Sequence, residues 1–592
     1  MSVKAQDNTQ KALLSQARKD LQGTHFKEAL DVVERILVLD PDHVEALNMG
    51  GAAAWQGGNT GRALELLDQA MQKHPSHPDA YLNLGVILEQ HGQTKEAIDA
   101  YTASLEADPN QVLARLNLGN AFAHLGQARS AIEAYDLVLK KDPINVDALC
   151  NKGLTLKNAG EMDLAEATLR RAVQVAPTAE QAWANFALVL RMTGKPDEAF
   201  HAYEQALKIN PTSPKTLNNL AVLHRWQGNL EQAESICRSV LKTHPDVVEV
   251  LNNLGDILQA QGRLDEARKA FDRVLTLDPA HPEGHHNLAV LLLLSGDFKN
   301  GWRHYEWRWL AKDFPSERRN FPQPMWAGEA LAGQTILLYV EQGLGDAIQF
   351  VRYAAMVEAR GGKVVIECPR PLKRLFETVN GVDHVVARGN ELPKFDVQCP
   401  FLSLPGLLSP DLQQIPHNVP YFSLSDEDVQ VWRQRLKDCD GLKIGLVWAG
   451  SPHHTNDRER SIALELYAPL ADVAGCTFVN LQIGPSSEQV QNASFPLVDL
   501  TADIIDYADT AALVSQLDLI ITVDTSVAHV AGALGKPVWV LLPQAPDWRW
   551  LVNREDSPWY PTMKLYRQPK RRDWASVLGR VKDDLQKMAD LS

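Results

Sequence analysis

A proline returns every 34 residues through the first half of the chain, at Pro41, Pro75, Pro109, Pro143, Pro177, Pro211, Pro245 and Pro279, and the step never slips. A glycine keeps the same step, at Gly58, Gly92, Gly126, Gly160, Gly194, Gly228, Gly262 and Gly296. So does a small residue, from Ala29 and Ala63 through Ala233 and Ala267 to Gly301. A fixed period of this length means one supersecondary unit copied and stacked, each copy burying its apolar face on the next. The glycine falls where a first helix must turn into a second, and the alanine lets the two approach closely. The proline ends the second helix, because it has no N–H and its ring clashes with the preceding turn. The period predicts helix pairs over residues 8–310.

The stretch "AYLNLGVILEQHGQTKEAIDAYTASLEADP" (80–109) shows the pattern in full and resembles the tetratricopeptide repeat. That resemblance implies an all-α superhelix of eight to nine repeats with a concave binding face. One more residue keeps the beat: Asn83, Asn117, Asn151, Asn185, Asn219, Asn253 and Asn287 each follow a proline by eight positions. Asparagine gains nothing from a mid-helix position. Its amide either grips the backbone of an extended peptide or makes a copied bond to a neighbouring helix. The series resembles the asparagine ladder of the protein O-GlcNAc transferases, which implies peptide binding. His285 and His286 are adjacent on a helix and point apart, so they make a poor metal pair; exposed helix surface is expected for both.

After residue 310 the period breaks. A connector rich in Pro and Arg (311–334) leads to short apolar runs alternating with helical ones. Strands are expected at 335–340, 363–368, 383–386 and 395–399, and again at 443–449, 477–481, 517–523 and 538–542. This reads as parallel sheet with crossover helices, in two Rossmann-like lobes: 335–408, then a linker (409–440), then 441–555. A C-terminal segment (556–592) ends in an amphipathic helix expected to pack back across both lobes. Ligands of such sheets bind at the carboxyl ends of strands.

Three turns at strand ends carry chemistry. In "VDTSVAHVAGALGKPVWVLL" (523–542), Asp524 ends a strand and Thr525 or Ser526 caps a short helix with a buried stripe of Val527, Val530, Ala531 and Leu534. Its free N–H groups suit a diphosphate, with His529 beside them as a neutral donor; otherwise Asp524 and Ser526 are plain helix caps and His529 packs. The segment resembles the D-T-[GS]-x-x-H-x-A signature of family 9 glycosyltransferases, the bacterial heptosyltransferases. That implies a GT-B fold, a nucleotide-sugar donor bound by Asp524, Thr525, Ser526 and His529, and inverting, metal-independent transfer of a hexosyl or heptosyl unit. In "VEQGLGDAIQFVRY" (340–353), Gly343 and Gly345 permit a tight turn that delivers Asp346 to a helix start. Locally it reads as an N-cap; the resemblance implies a general base. In "GLVWAGSPHHTNDRERSI" (445–462), Arg458 and Arg460 are either solvated or neutralise the leaving diphosphate. The resemblance favours Arg460, with His453 and His454 weaker candidates. Gln482 is a further expected cleft residue. Trp548, in "DWRW" (547–550), either stacks on a nucleobase or fills core. Asp426-Glu427-Asp428 imitates a metal-binding DxD, but it follows Ser425 as an acidic first helical turn, and no metal or other cofactor is implied.

Bulk properties narrow the class. The 592 residues exceed one core, and a net charge of −15 argues against a nucleic-acid partner. Six scattered cysteines include no CxxC pair, as expected of free thiols in the cytoplasm. The N-terminus lacks a signal-peptide core, and the longest apolar run, 289–294, is too short to span a bilayer. The expectation is a glycosyltransferase whose repeats recruit a protein acceptor. The first lobe, short for the resembled family, favours a protein over a lipid-linked acceptor. The alternative is a non-catalytic repeat scaffold with a degenerate transferase-like domain.

Overall fold

In the computed structural model, which describes residues 3–312, 314–452, 454 and 456–591, helices follow one another without interruption from Val3–Gln22 to Phe298–Tyr305. From Val44–Gln56 to Pro282–Leu294 every helix has 13 or 14 residues. The period has the expected physical origin. All eight periodic glycines lie at φ between +73° and +87°, the left-handed region that a Cβ disfavours. A Cβ added at Gly58, Gly92, Gly126, Gly160, Gly194, Gly262 or Gly296 would meet nothing within 4 Å, so these positions are fixed by backbone conformation rather than by crowding. The periodic alanines are fully buried, and a Cβ on Gly301 would lie 2.7 Å from Leu293 Cδ2. Gly126→Ala is therefore expected to cost about 1 kcal/mol through φ alone. Gly119→Ala, whose Cβ would fall 2.6 Å from Tyr135 Cε1, should cost more, about 1–3 kcal/mol. Urea midpoints of the two variants, followed by helical circular dichroism, check the order.

One compact unit ends at Gly228 and a second begins at Asn229. The second holds the later helices and two parallel sheets. The first sheet contains β1 (Thr335–Tyr339), β2 (Lys363–Cys368), β3 (His384–Ala387) and β4 (Val397–Pro400), in the order β3-β2-β1-β4. The second contains β5 (Leu442–Val447), β6 (Cys476–Asn480), β7 (Val498–Asp499), β8 (Leu519–Val523), β9 (Val538–Leu542) and β10 (Met563–Arg567), in the order β10-β9-β8-β5-β6-β7. Strand order reverses beside β1 in one and beside β5 in the other. These are the switch points, between β1 and β4 and between β5 and β8, where a crevice opens at the carboxyl ends. The short edge strands β7 and β10 escaped the sequence reading: one has two residues, and the other alternates charge with apolar side chains.

Residue 310 is not a structural seam. Ala289, Leu293, Phe298, Trp302 and Tyr305 of the last repeat helices share one core with Ile336 and Leu338 of β1 and with Trp548 and Trp559. An interior repeat buries this face on the next repeat; here the α/β elements take that place. The link is also ionic. Arg308, fully buried, donates to Glu341 just beyond β1 (Nη2 to Oε1, 2.9 Å), to Ser403 Oγ (2.9 Å) and to Glu306 Oε1 (2.9 Å). Glu341 Oε1 also accepts the Leu402 N–H at 3.0 Å. The crevice at the first sheet's switch point is thus filled by protein.

His285 is buried, contrary to expectation. Its ring stacks on Trp307 (4.0 Å between centroids) and on His304 (5.0 Å), because this helix faces Glu306–Leu310 rather than solvent. His286 is half-buried against Tyr305 and Phe314. The connector is structural too: Trp326 and Leu331 are buried, and the Trp326 N–H donates to the Gln398 carbonyl at 2.9 Å. The last helix, Trp574–Asp590, buries Trp574, Leu578, Val581 and Leu585 in the core of the second sheet, and Asp584 holds Lys564 and Tyr566 of β10. It packs on that sheet rather than across both. No helix among the described residues is long and apolar enough to cross a membrane.

Candidate functional site

The turn after β1 and the turn after β8 meet. Gln342 takes φ +59°, and Gly343 leads into the helix Leu344–Phe350. Asp346 Oδ2 accepts the Gly343 N–H at 2.9 Å, closing the turn. A Cβ on Gly345 would lie 3.0 Å from His529 Cδ2 and 3.6 Å from the Ser526 Cα. Glycine is thus required for the close approach of this helix to Ser526–Ala533. That second helix is buried on every side rather than along one stripe: Ala528, His529 and Ala533 are as buried as Val530 and Ala531.

Neither expected cap is made. Thr525 occupies the N-cap position, yet its hydroxyl lies 3.1 Å from that of Thr522, and the Ser526 hydroxyl lies 2.6 Å from that of Tyr507. No side chain therefore caps the first turn of Ser526–Ala533. Asp524 stands at the end of β8, where burial, with Asp547 adding to it, pushes its carboxyl up to about 6. His529 is held well below the usual imidazole range, first by burial and then by Arg549 and Arg352. Its Nδ1 lies 3.0 Å from the Tyr560 hydroxyl, and its ring stacks on Trp550 at 5.5 Å. A Tyr560 O–H donated to Nδ1 makes Nε2 the N–H, on the Gly345 side.

Arg460 lies at the switch point of the second sheet. Its Nη1 donates to the Asp524 carbonyl at 3.1 Å, and its Nε to Asp457 at 3.3 Å. A Cβ on Gly450 would overlap the guanidinium, so glycine makes the space for it. Arg458 and His454 are exposed, and His453 lies outside the described residues. Gln482 is no cleft residue. It is 3% exposed, and its Oε1 accepts the N–H groups of Trp448 and Ala449 at 3.1 and 2.8 Å, ending β5. Trp548 offers no face for a base: it is 3% exposed among Phe298, Trp302, Tyr305 and Phe350. Asp426–Asp428 form a capped first turn, with Ser425 Oγ accepting the Asp428 N–H at 3.0 Å.

Arg549 stands between Trp548 and Trp550 after the last expected strand, and the sequence alone gives it no role of its own. It is 7% exposed and forms an ion pair with Asp346. It also donates to Gln349 Oε1 (3.0 Å) and to Asp547 Oδ1 (2.8 Å), and it stacks on Trp548 at 4.2 Å. Asp346 therefore does not face open solvent. Burial raises its pKa, and Arg549 draws it back. Next to them, Gln349 Nε2 is a buried donor without a hydrogen-bond partner, while the Trp550 side chain interacts with Asp524. "DWRW" is visible in sequence, but nothing local ties its arginine to a carboxylate 203 positions away.

The repeat asparagines divide between the two readings. Asn83, Asn151 and Asn287 donate to Asn48, Asn120 and Asn252 on the preceding first helix of a pair, at 2.8, 2.8 and 3.1 Å. Asn185 is buried and accepts from Gln181. Asn117, Asn219 and Asn253 are half-buried. Helix-to-helix bonding is thus present in at least three of the seven.

Residues 4–291 match the family model described as the Cilia and flagella-associated protein 70 C-terminal domain. Protein FlbA of Caulobacter vibrioides is 27% identical over 329 residues, 51% of this chain and 54% of FlbA. The chain thus spans about half the length of that relative. Among solved structures, a tetratricopeptide repeat protein from Parabacteroides merdae is 21% identical and covers 42% of this chain and 98% of its own, with a TM-score of 0.38. The APC/C hetero-tetramer Cut9–Hcn1 is 17% identical over 47% of this chain and 55% of its own, also at 0.38. MamA is 24% identical over 28% and 92%, at 0.26. Together with the 34-residue period and its left-handed glycines, the family match makes the helical half of this chain an array of tetratricopeptide repeats, a protein-interaction scaffold.

Proposed function

We propose that residues 335–555 form a GT-B-type glycosyltransferase that moves a hexosyl or heptosyl unit from a nucleotide-diphosphate sugar to an acceptor. The observation that carries this reading is the meeting of the Gly343–Asp346 turn with the Asp524–His529 turn, with Arg549 and Arg460 beside them. In this reading the acceptor oxygen attacks the anomeric carbon as Asp346 takes its proton. The bond from that carbon to the diphosphate breaks on the opposite face, so the configuration inverts and the diphosphate leaves with the electron pair. Arg460 and the uncapped N–H groups of Ser526–Ala533 stabilise the charge that builds there. Arg549 adds a trigger. A diphosphate entering beside Asp524 competes for its guanidinium, and each hydrogen bond it takes leaves Asp346, already raised by burial, a stronger base. The repeats would deliver a protein acceptor in the cytoplasm.

A second reading, the repeat scaffold with a degenerate transferase domain, is favoured by one observation: Asp346 is held by Arg549 and by the Gly343 N–H rather than left free. Calorimetric titration of the full chain with UDP, GDP, ADP and CMP separates the two. Saturable binding of one nucleoside diphosphate, weakened at least about tenfold in Arg460→Ala, is expected from a lost charge-assisted contact. Binding by none of them leaves the scaffold.

A further inference from the structure

A parallel sheet is normally covered on both faces by its crossover helices. In the first sheet this holds for one face only, that of Ile336, Leu338, Val364 and Ile366. The other face, with Leu337, Val365 and Val386, is covered by Phe321 of the connector and by Leu392 and Phe395. These lie on irregular segments outside any helix, which cover a sheet less completely than helices do. Between the connector and the sheet lies a cavity of about 400 Å³, within the range of small-molecule sites.

Its lining is chemically specific. Trp309, Arg318, Phe321, Gln323, Tyr339 and Gln398 surround it. Three of them carry buried polar atoms without a hydrogen-bond partner: Trp309 Nε1, Gln323 Oε1 and Gln398 Oε1. Gln398 is 7% exposed, and its backbone is fixed, its N–H donating to the Pro324 carbonyl at 3.1 Å. Buried polar atoms are nearly always paired, so three unpaired around one cavity call for a ligand that supplies both donors and acceptors. The charge is unbalanced as well. Arg319 is neutralised by Glu367 at 2.6 Å and stacks on Phe321 at 4.8 Å. Arg318 is exposed and has no ion pair among the described residues.

We infer that this cavity binds a small hydroxylated carboxylate of the sugar-acid class. Hydroxyl groups donate to the two amide oxygens and accept from the Trp309 N–H. The apolar face of the ring lies on the walls of Phe321 and Tyr339. The carboxylate takes the Arg318 guanidinium, a match of planar fork to planar acceptor. Water satisfies the amides but leaves the aromatic walls of Phe321 and Tyr339 without an apolar partner.

The site is separate from the proposed nucleotide site and does not rest on the transferase reading. The test is calorimetry of the full chain with D-glucuronate, D-glucose and acetate. Glucuronate should bind saturably, with glucose and acetate at least about tenfold weaker. Arg318→Gln, on an exposed side chain, should bring glucuronate down to the level of glucose. Gln398→Leu should abolish both while the melting temperature holds, and Arg460→Ala should change neither. Failure of glucuronate to saturate overturns the proposal, as does an affinity unchanged in Arg318→Gln. Loss of binding in Arg460→Ala places the ligand elsewhere and overturns it too.

Discussion

Arg308→Met is expected to lower the stability of the 229–592 unit by about 3–5 kcal/mol at neutral pH, the usual cost of stranding one member of a buried ion pair. The stranded partner is Glu341, 3% exposed, with Leu402 as its remaining backbone donor. Burial, opposed by Arg308, pushes Glu341 up to about 6, above the ordinary glutamate value of about 4.3. A carboxyl raised on folding stabilises the folded state fully below its unfolded pKa and loses that contribution as pH rises through its folded pKa. Without Arg308 the folded pKa climbs further, and the loss extends to higher pH. The variant should therefore sit close to wild type near pH 4–5 and fall well below it at pH 7.5. Removing both charges, as Arg308→Met with Glu341→Leu, should recover most of the loss. Tryptophan fluorescence during urea unfolding is a suitable readout, because 11 of the 14 tryptophans lie beyond residue 228. A deficit in Arg308→Met of equal size at both pH values would show that lost packing, not a stranded carboxylate, sets the cost.

On the proposed transferase reading, Asp346→Asn should lower kcat for sugar transfer by about 10²–10⁴-fold, the range for a positioned general base, with KM little changed. Asparagine keeps the acceptor for the Gly343 N–H and a polar partner for Arg549, so the turn should survive. Arg549→Gln tests the trigger. With the guanidinium gone, Asp346 loses the strongest influence that holds it toward its ionised form, and burial raises its pKa further. A base works ionised, so the acid limb of the kcat profile should move to higher pH in Arg549→Gln. A kcat for Asp346→Asn within threefold of wild type sinks the assigned role.

The repeat array was readable almost completely, because each periodic residue answers a local demand. Gly126 supplies a left-handed φ, Ala131 a close approach, and Pro143 a helix stop. Strands of apolar residues flanked by turns were equally plain: β2 and β9 fall on their expected limits, while β7 and β10, polar edges of a large sheet, were not seen. At the candidate site the glycines and aspartates of the two turns were found because their spacing is local. What stayed hidden depends on the fold bringing distant segments together. Arg549 reaches Asp346, Arg308 reaches Glu341, and Gln482 turns inward to the ends of its own sheet. Trp548 was left open between a base and the core for the same reason: an aromatic after a strand looks alike whether it faces a ligand or four other rings.

The shared core of the last repeat helices and the sheets bears on how this chain can be divided. A protease or a recombination event acting at residue 311 would cut no free linker. It would strip Phe298, Trp302 and Tyr305 from the rings they contact and take away the guanidinium that neutralises Glu341. Whatever inherits the α/β portion must inherit the final repeat with it, while repeats farther upstream can be gained, lost or exchanged one 34-residue step at a time.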